Sequence, residues 1–167
     1  MKRIFSLYIL PSIFLILLFL GKNNVLIAQE TYTVTKTLQK LNIVHNQFEA
    51  TLDSLLKIER QCSYYKESLF WSVSFTQLKD DEFTISITMQ TELSEKYKYL
   101  GYFQIDSVTF LLAGENIHKD FFKVCNTKQK FTSKNKKIPS VEDYSTWLYG
   151  YKGKTLFLRE SFPLPCD

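Results

Sequence analysis

A chain of 167 residues, 45% hydrophobic and 23% charged, holds enough apolar material for one core and too much for a disordered polymer. Its formal charge is +4, and Lys2, Arg3 and Lys22 supply three of those charges, so residues 29–167 carry only +1. Such a balance excludes a general nucleic-acid binder, which needs a broad basic surface to displace counterions.

Lys2 and Arg3 precede an almost wholly apolar run from Ile4 to Leu20, followed by Gly21, Lys22, Asn23 and Asn24. This is the pattern of a secretory signal peptide, with cleavage expected after Ala28 and Gly21 as the second choice. An uncleaved anchor is the competing reading, but a span needs about 20 apolar residues and Pro11 interrupts this shorter run. The expected organisation is a signal segment at 1–28 and a single domain at 29–167, exported to the periplasm or secreted. The short signal and the absence of an N-x-S/T sequon in the exported part point to a bacterial source.

From Thr33 to Cys62 the residues Leu38, Leu41, His45, Phe48, Leu52, Leu55, Glu59 and Cys62 recur at steps of three and four, which predicts one long amphipathic helix. The period then changes to two. Leu69, Trp71, Val73 and Phe75, and after Lys79-Asp80-Asp81-Glu82 the residues Phe83, Ile85, Ile87 and Met89, predict an antiparallel hairpin. Its second face carries Ser72, Ser74, Thr76, Thr84, Ser86 and Thr88, a row expected to be solvated or used for binding.

Tyr99 to Leu112 predicts one long strand or two short ones broken near Asp106-Ser107, with a bulge or bend at Gly101. His118 to Asn126 predicts a further strand. From Thr127 to Pro139 the period is lost while Lys128, Lys130, Lys134, Lys136 and Lys137 gather with no acid, which reads as an exposed loop. It could contact an anionic partner, such as a lipid head group, an acidic polysaccharide or an acidic protein face. A loop that is merely solvated competes with that reading. A last hairpin turns at Lys152-Gly153, with Trp147, Tyr149 and Tyr151 on the same face as Leu156 and Leu158.

The expected fold is α+β: the long N-terminal helix packed on a curved antiparallel sheet of five to six strands. Cys62, Cys125 and Cys166 allow one disulfide of undetermined pairing, or three free thiols. The chain has only His45 and His118, no short-range metal-ligand pair, no nucleophile elbow and no phosphate-binding glycine loop. No catalytic residue, metal or cofactor is therefore assigned, and an enzyme would have to use His45, His118 or Cys125.

The composition fits a small exported protein that acts by binding another protein or a small ligand in the cell envelope. It would touch a membrane only through an uncleaved signal segment. One form is an inhibitor or immunity-type factor that uses an edge strand or the hydroxyl face. Another is a small-molecule or carbohydrate binder with a pocket between helix and sheet, lined by Tyr99, Phe103, Trp147 and Tyr149.

Overall fold

A computed structural model describes residues 31–62, 65, 70–90, 93–136, 145–163 and 166. The signal segment expected at 1–28 lies outside them. In chain order the elements are β1 (Thr31–Ile43), α1 (Asn46–Glu59), β2 (Phe70–Lys79), β3 (Glu82–Gln90), β4 (Tyr99–Ile105), β5 (Val108–Ala113), β6 (Phe122–Lys136), β7 (Thr146–Lys152) and β8 (Thr155–Phe162). The eight strands form one sheet in the order β6-β1-β4-β5-β2-β3-β7-β8. It is a mixed sheet, because β1 runs parallel to β4 and β5 parallel to β2, while β4–β5, β2–β3, β3–β7 and β7–β8 are antiparallel.

The expected fold is thereby corrected. Thr33–Cys62 is not one helix: its first third is β1, and α1 has 14 residues. The sheet has eight strands rather than five or six, and it is mixed rather than antiparallel. The strand wins at 31–43 because Thr31, Thr33, Thr35 and Thr37 alternate with Tyr32, Val34, Lys36 and Leu38, a period of two rich in β-branched residues. Leu38 and Leu41, three apart, matched the helical stripe. In a strand that spacing sends them to opposite faces. Leu38 packs with Tyr99, Tyr102 and Leu111, and Leu41 joins the core under α1.

The helix begins where His45 acts as N-cap, its Nδ1 accepting a hydrogen bond from the Phe48 N–H at 3.1 Å. Glu49 in the first turn and Lys57 in the last complement the helix dipole. Phe48, Leu52, Leu55 and Leu56 are buried against one face of the sheet, among Trp71, Ile85, Ile87, Phe103, Phe110, Trp147 and Tyr149. That interior is filled: Phe48, Trp71, Phe103 and Phe110 are each no more than 1% exposed.

The hairpin of β2 and β3 follows the expected alternation from Phe70↔Gln90 to Lys79↔Glu82, closed by Asp80-Asp81. The stretch from Tyr99 divides into β4 and β5 at Asp106-Ser107, both at positive φ, as a tight two-residue hairpin requires. The register shifts between Tyr99 and Gly101, so Leu100 is the extra residue of a bulge that reverses the alternation. Gly101 is forced by close approach, since a Cβ there would stand 2.8 Å from the Gln39 carbonyl oxygen of β1. The expected loop at 127–139 is instead the continuation of β6 as far as Lys136. Like charges suggested disorder, yet alternation with Thr127, Gln129 and Phe131 lets Lys128 and Lys130 stand outward from a strand. Cys62 and Cys166 are bonded, with Cα atoms 4.6 Å apart, and Cys125 carries a free thiol.

Candidate functional site

The sheet face away from α1 is divided. Over β1, β4 and β5 it is covered by a small second core of Leu38, Leu93, Tyr99, Tyr102, Leu111 and Ala113, with Phe131 of β6 packed against it. Over β2, β3 and β7 it carries the hydroxyl row. Ser72 pairs with Thr88, Ser74 with Ser86 and Thr76 with Thr84, and Thr88 pairs in turn with Thr146. These hydroxyls are partly spent on one another, with Thr146 Oγ1 3.3 Å from Thr88 Oγ1 and Ser86 Oγ 3.5 Å from Thr88 Oγ1. Ser72 is buried and Thr76 is exposed, so the row is graded rather than uniformly open.

At the end of that sheet lies β8. Its hairpin with β7 turns through Gly153 and Lys154, both at positive φ. Leu156 points inward and is 6% exposed, and then the pattern opens: Phe157 is 42% exposed, Leu158 51% and Phe162 56%. Leu158 pairs with Tyr149 and shares its face, but at the sheet edge it escapes cover. Phe157 lies on the other face over Gly150, where a Cβ would meet the Phe157 ring and the Arg159 side chain.

Arg159 is fixed on both sides, its guanidinium 5.6 Å from the Phe157 ring and its Nη2 2.9 Å from Glu82 Oε1. Lys152 Nζ lies 3.3 Å from the other Glu82 oxygen. Hydrogen bonding from Lys152, with the charges of Lys152 and Arg159, holds the Glu82 carboxyl below the usual carboxylate range. Among the described residues no strand pairs with the outer edge of β8. At one point that edge is occupied by a side chain: Gln47 of α1 donates through Nε2 to the Leu156 carbonyl at 3.0 Å and accepts from the Leu156 N–H at 3.2 Å.

The sequence-predicted residues are scattered. Tyr99 lies in the second core, its hydroxyl donating to Gln90 Oε1 at 3.2 Å. Phe103, Trp147 and Tyr149 belong to the core under α1. The bulge at Leu100 is what puts Tyr99 on the other face, so the four do not line one cavity. Trp147 Nε1 donates to the buried Glu59 carboxylate at 2.7 Å, a structural tie between the end of α1 and β7. Burial raises the hydroxyls of Tyr149 and Tyr151 above the ordinary phenol range. Lys128 and Lys130 are exposed on β6, Lys134 and Lys136 belong to the same strand, and Lys137 lies outside the described residues.

His45 and His118 meet in one aromatic cluster. His45 stacks on Phe121 at 4.7 Å, His118 stacks on Phe75 at 4.6 Å, and Phe75 contacts Phe121 at 5.0 Å. Burial holds the His118 imidazole below its usual range, opposed by the charge of Asp120. Cys125 shares the alternation of Gln129 and Phe131, which contact Tyr102 on the opposite face, so no Cys-His arrangement forms. Among the described residues no group of three or more His, Cys, Asp or Glu is placed to hold a metal ion.

Sequence reasoning gave no role to Gln47, Phe157 or Phe162, and it placed Leu158 on the face of Trp147, Tyr149 and Tyr151, with Phe157 opposite. The adjacent pair Phe157-Leu158 was the available signal, because neighbours in a strand face opposite ways and one of them must point outward. No protein-family model, curated protein or solved structure matches the chain.

Proposed function

We propose that this is an exported interaction protein that binds another protein by strand addition at β8, in the manner of an envelope-located inhibitor or immunity-type factor. One observation carries the reading: the last strand of the sheet exposes Phe157, Leu158 and Phe162 by 42 to 56% beside an outer edge that no described strand covers. An incoming strand would gain main-chain hydrogen bonds from the edge and apolar contact from those side chains. The filled interior under α1 supports this over a small ligand held between helix and sheet. The Cys62–Cys166 disulfide is compatible with the oxidising compartment that export implies.

The test is an affinity capture from the envelope fraction with the wild-type protein and with the double variant Leu158→Lys, Phe162→Lys. A stoichiometric protein retained by the wild type and lost, at least tenfold, by the variant supports strand addition at β8. Equal retention by both, or no retained protein, contradicts it.

A further inference from the structure

Charge is distributed over this sheet in two unlike halves. The contiguous strands β6, β1, β4 and β5 contain seven lysines, Lys36, Lys40, Lys123, Lys128, Lys130, Lys134 and Lys136, and not one Asp or Glu. The other four strands mix signs, with Glu82 bonded to Lys152 and Arg159. None of the ion pairs among the described residues, Lys57–Asp53, Arg60–Asp106, Lys98–Glu115, Lys152–Glu82 and Arg159–Glu82, draws on Lys36, Lys40, Lys123, Lys128 or Lys130. Among the described residues no ion pair thus neutralises these five lysines, while residues 29–167 together carry only +1.

β6 is also the other edge of the sheet and its longest strand, with 15 residues. Even-numbered positions 128, 130, 134 and 136 are all lysine. Alternate residues of a strand lie about 7 Å apart, so this row extends about 27 Å along the edge. Lys123 falls on the opposite alternation, and Lys36 and Lys40 share the alternation of Leu38, on the face of the second core. Positive charge therefore occurs on both faces of the edge. A flat bilayer could meet only one of those faces. A flexible chain with repeated charges can follow the row and bend around the edge.

From this distribution we infer that the β6–β1 edge is a binding site for a linear polyanion, specifically a carboxylated or sulfated polysaccharide of the kind met outside the cytoplasm. The site is separate from the outer edge of β8, across the full width of the sheet, and it borrows from the proposed function only the exported location. Failure of strand addition at β8 leaves it standing, and the reverse also holds.

The experiment measures binding of the full-length protein to heparin and to polygalacturonate across a salt series. It compares the wild type with the variant Lys128→Gln, Lys130→Gln, Lys134→Gln, Lys136→Gln and with a charge-matched control, Lys79→Gln, Lys96→Gln, Lys119→Gln, Lys154→Gln. Thermal unfolding of all three proteins confirms that each is folded. The expected result is at least a tenfold loss of affinity in the β6 variant, a shallower dependence on log salt, and less than a threefold loss in the control. Equal losses in both variants, or no polymer binding by the wild type at low salt, would overturn the inference. So would tighter binding to phosphatidylglycerol vesicles, to poly-glutamate or to a DNA oligonucleotide than to either polysaccharide.

Discussion

At the scale of single residues, Gly101, Glu59 and His118 each tie the fold to a particular physical constraint. A methyl group on Gly101 would press on the Gln39 carbonyl of β1 and on Leu41 at 2.9 Å, where Gln39↔Gly101 and Lys40↔Tyr102 pair β1 with β4. Gly101→Ala is expected to cost about 1–3 kcal/mol through that overpacking, read as a lower denaturant midpoint. Glu59 is fully buried and accepts from the Trp147 indole. Glu59→Gln keeps an acceptor oxygen in place and is expected to be mild, whereas Glu59→Ala removes the acceptor and leaves a cavity, costing roughly 2–4 kcal/mol. His118 gives a dependence on pH. Burial lowers its folded imidazole value, so the unfolded chain binds the proton more readily. The neutral form's contribution is then complete above about pH 6.5 and declines as pH falls through the interval down to the folded value. Urea midpoints at pH 7.5 and pH 5 should differ less in His118→Phe than in the wild type, and an unchanged difference would contradict the assignment.

At the scale of elements, what could be read in the sequence depended on whether one period was compatible with a run of residues. The β2–β3 hairpin was legible because Phe83, Ile85, Ile87 and Met89 alternate without interruption and only one face is apolar. Leu38 and Leu41, three apart, fit the helical period, and in the strand they fall on opposite faces, each buried in a different core, which one period does not reveal. The pairing of β1 beside β4, sixty residues away, has no local trace at all. The β8 site was half legible: its hairpin was marked by Gly153, but its position at the sheet edge is a property of topology. Edge position also explains Gln47, which holds both backbone groups of Leu156 and blocks the start of β8 from other strands. Gln47→Ala is expected to cost about 0.5–1.5 kcal/mol and to raise self-association at high protein concentration, measured by sedimentation velocity. A variant that stays monomeric at every concentration would show that the amide does not guard the edge.

At the scale of the whole molecule, the Cys62–Cys166 bond ties the segment four residues beyond β8 to the end of α1 across a separation of 104 residues. Closing a loop of about this length removes denatured-state entropy worth roughly 4–5 kcal/mol in the chain-entropy picture. Cys166→Ser should therefore lower the melting temperature markedly and loosen β8 first, as faster amide exchange at 158–162 than at 85–89. The two sheet edges differ in kind, apolar at β8 and basic at β6, which is why they are assigned different partners. The most direct test of strand addition places a photo-crosslinking residue at Leu158 on β8, and separately at Lys130 on β6, in the full-length protein expressed in its own host. A single discrete protein adduct from position 158 and none of the same mass from position 130 is the result expected. No adduct from 158, or the same adduct from both positions, would contradict binding at β8.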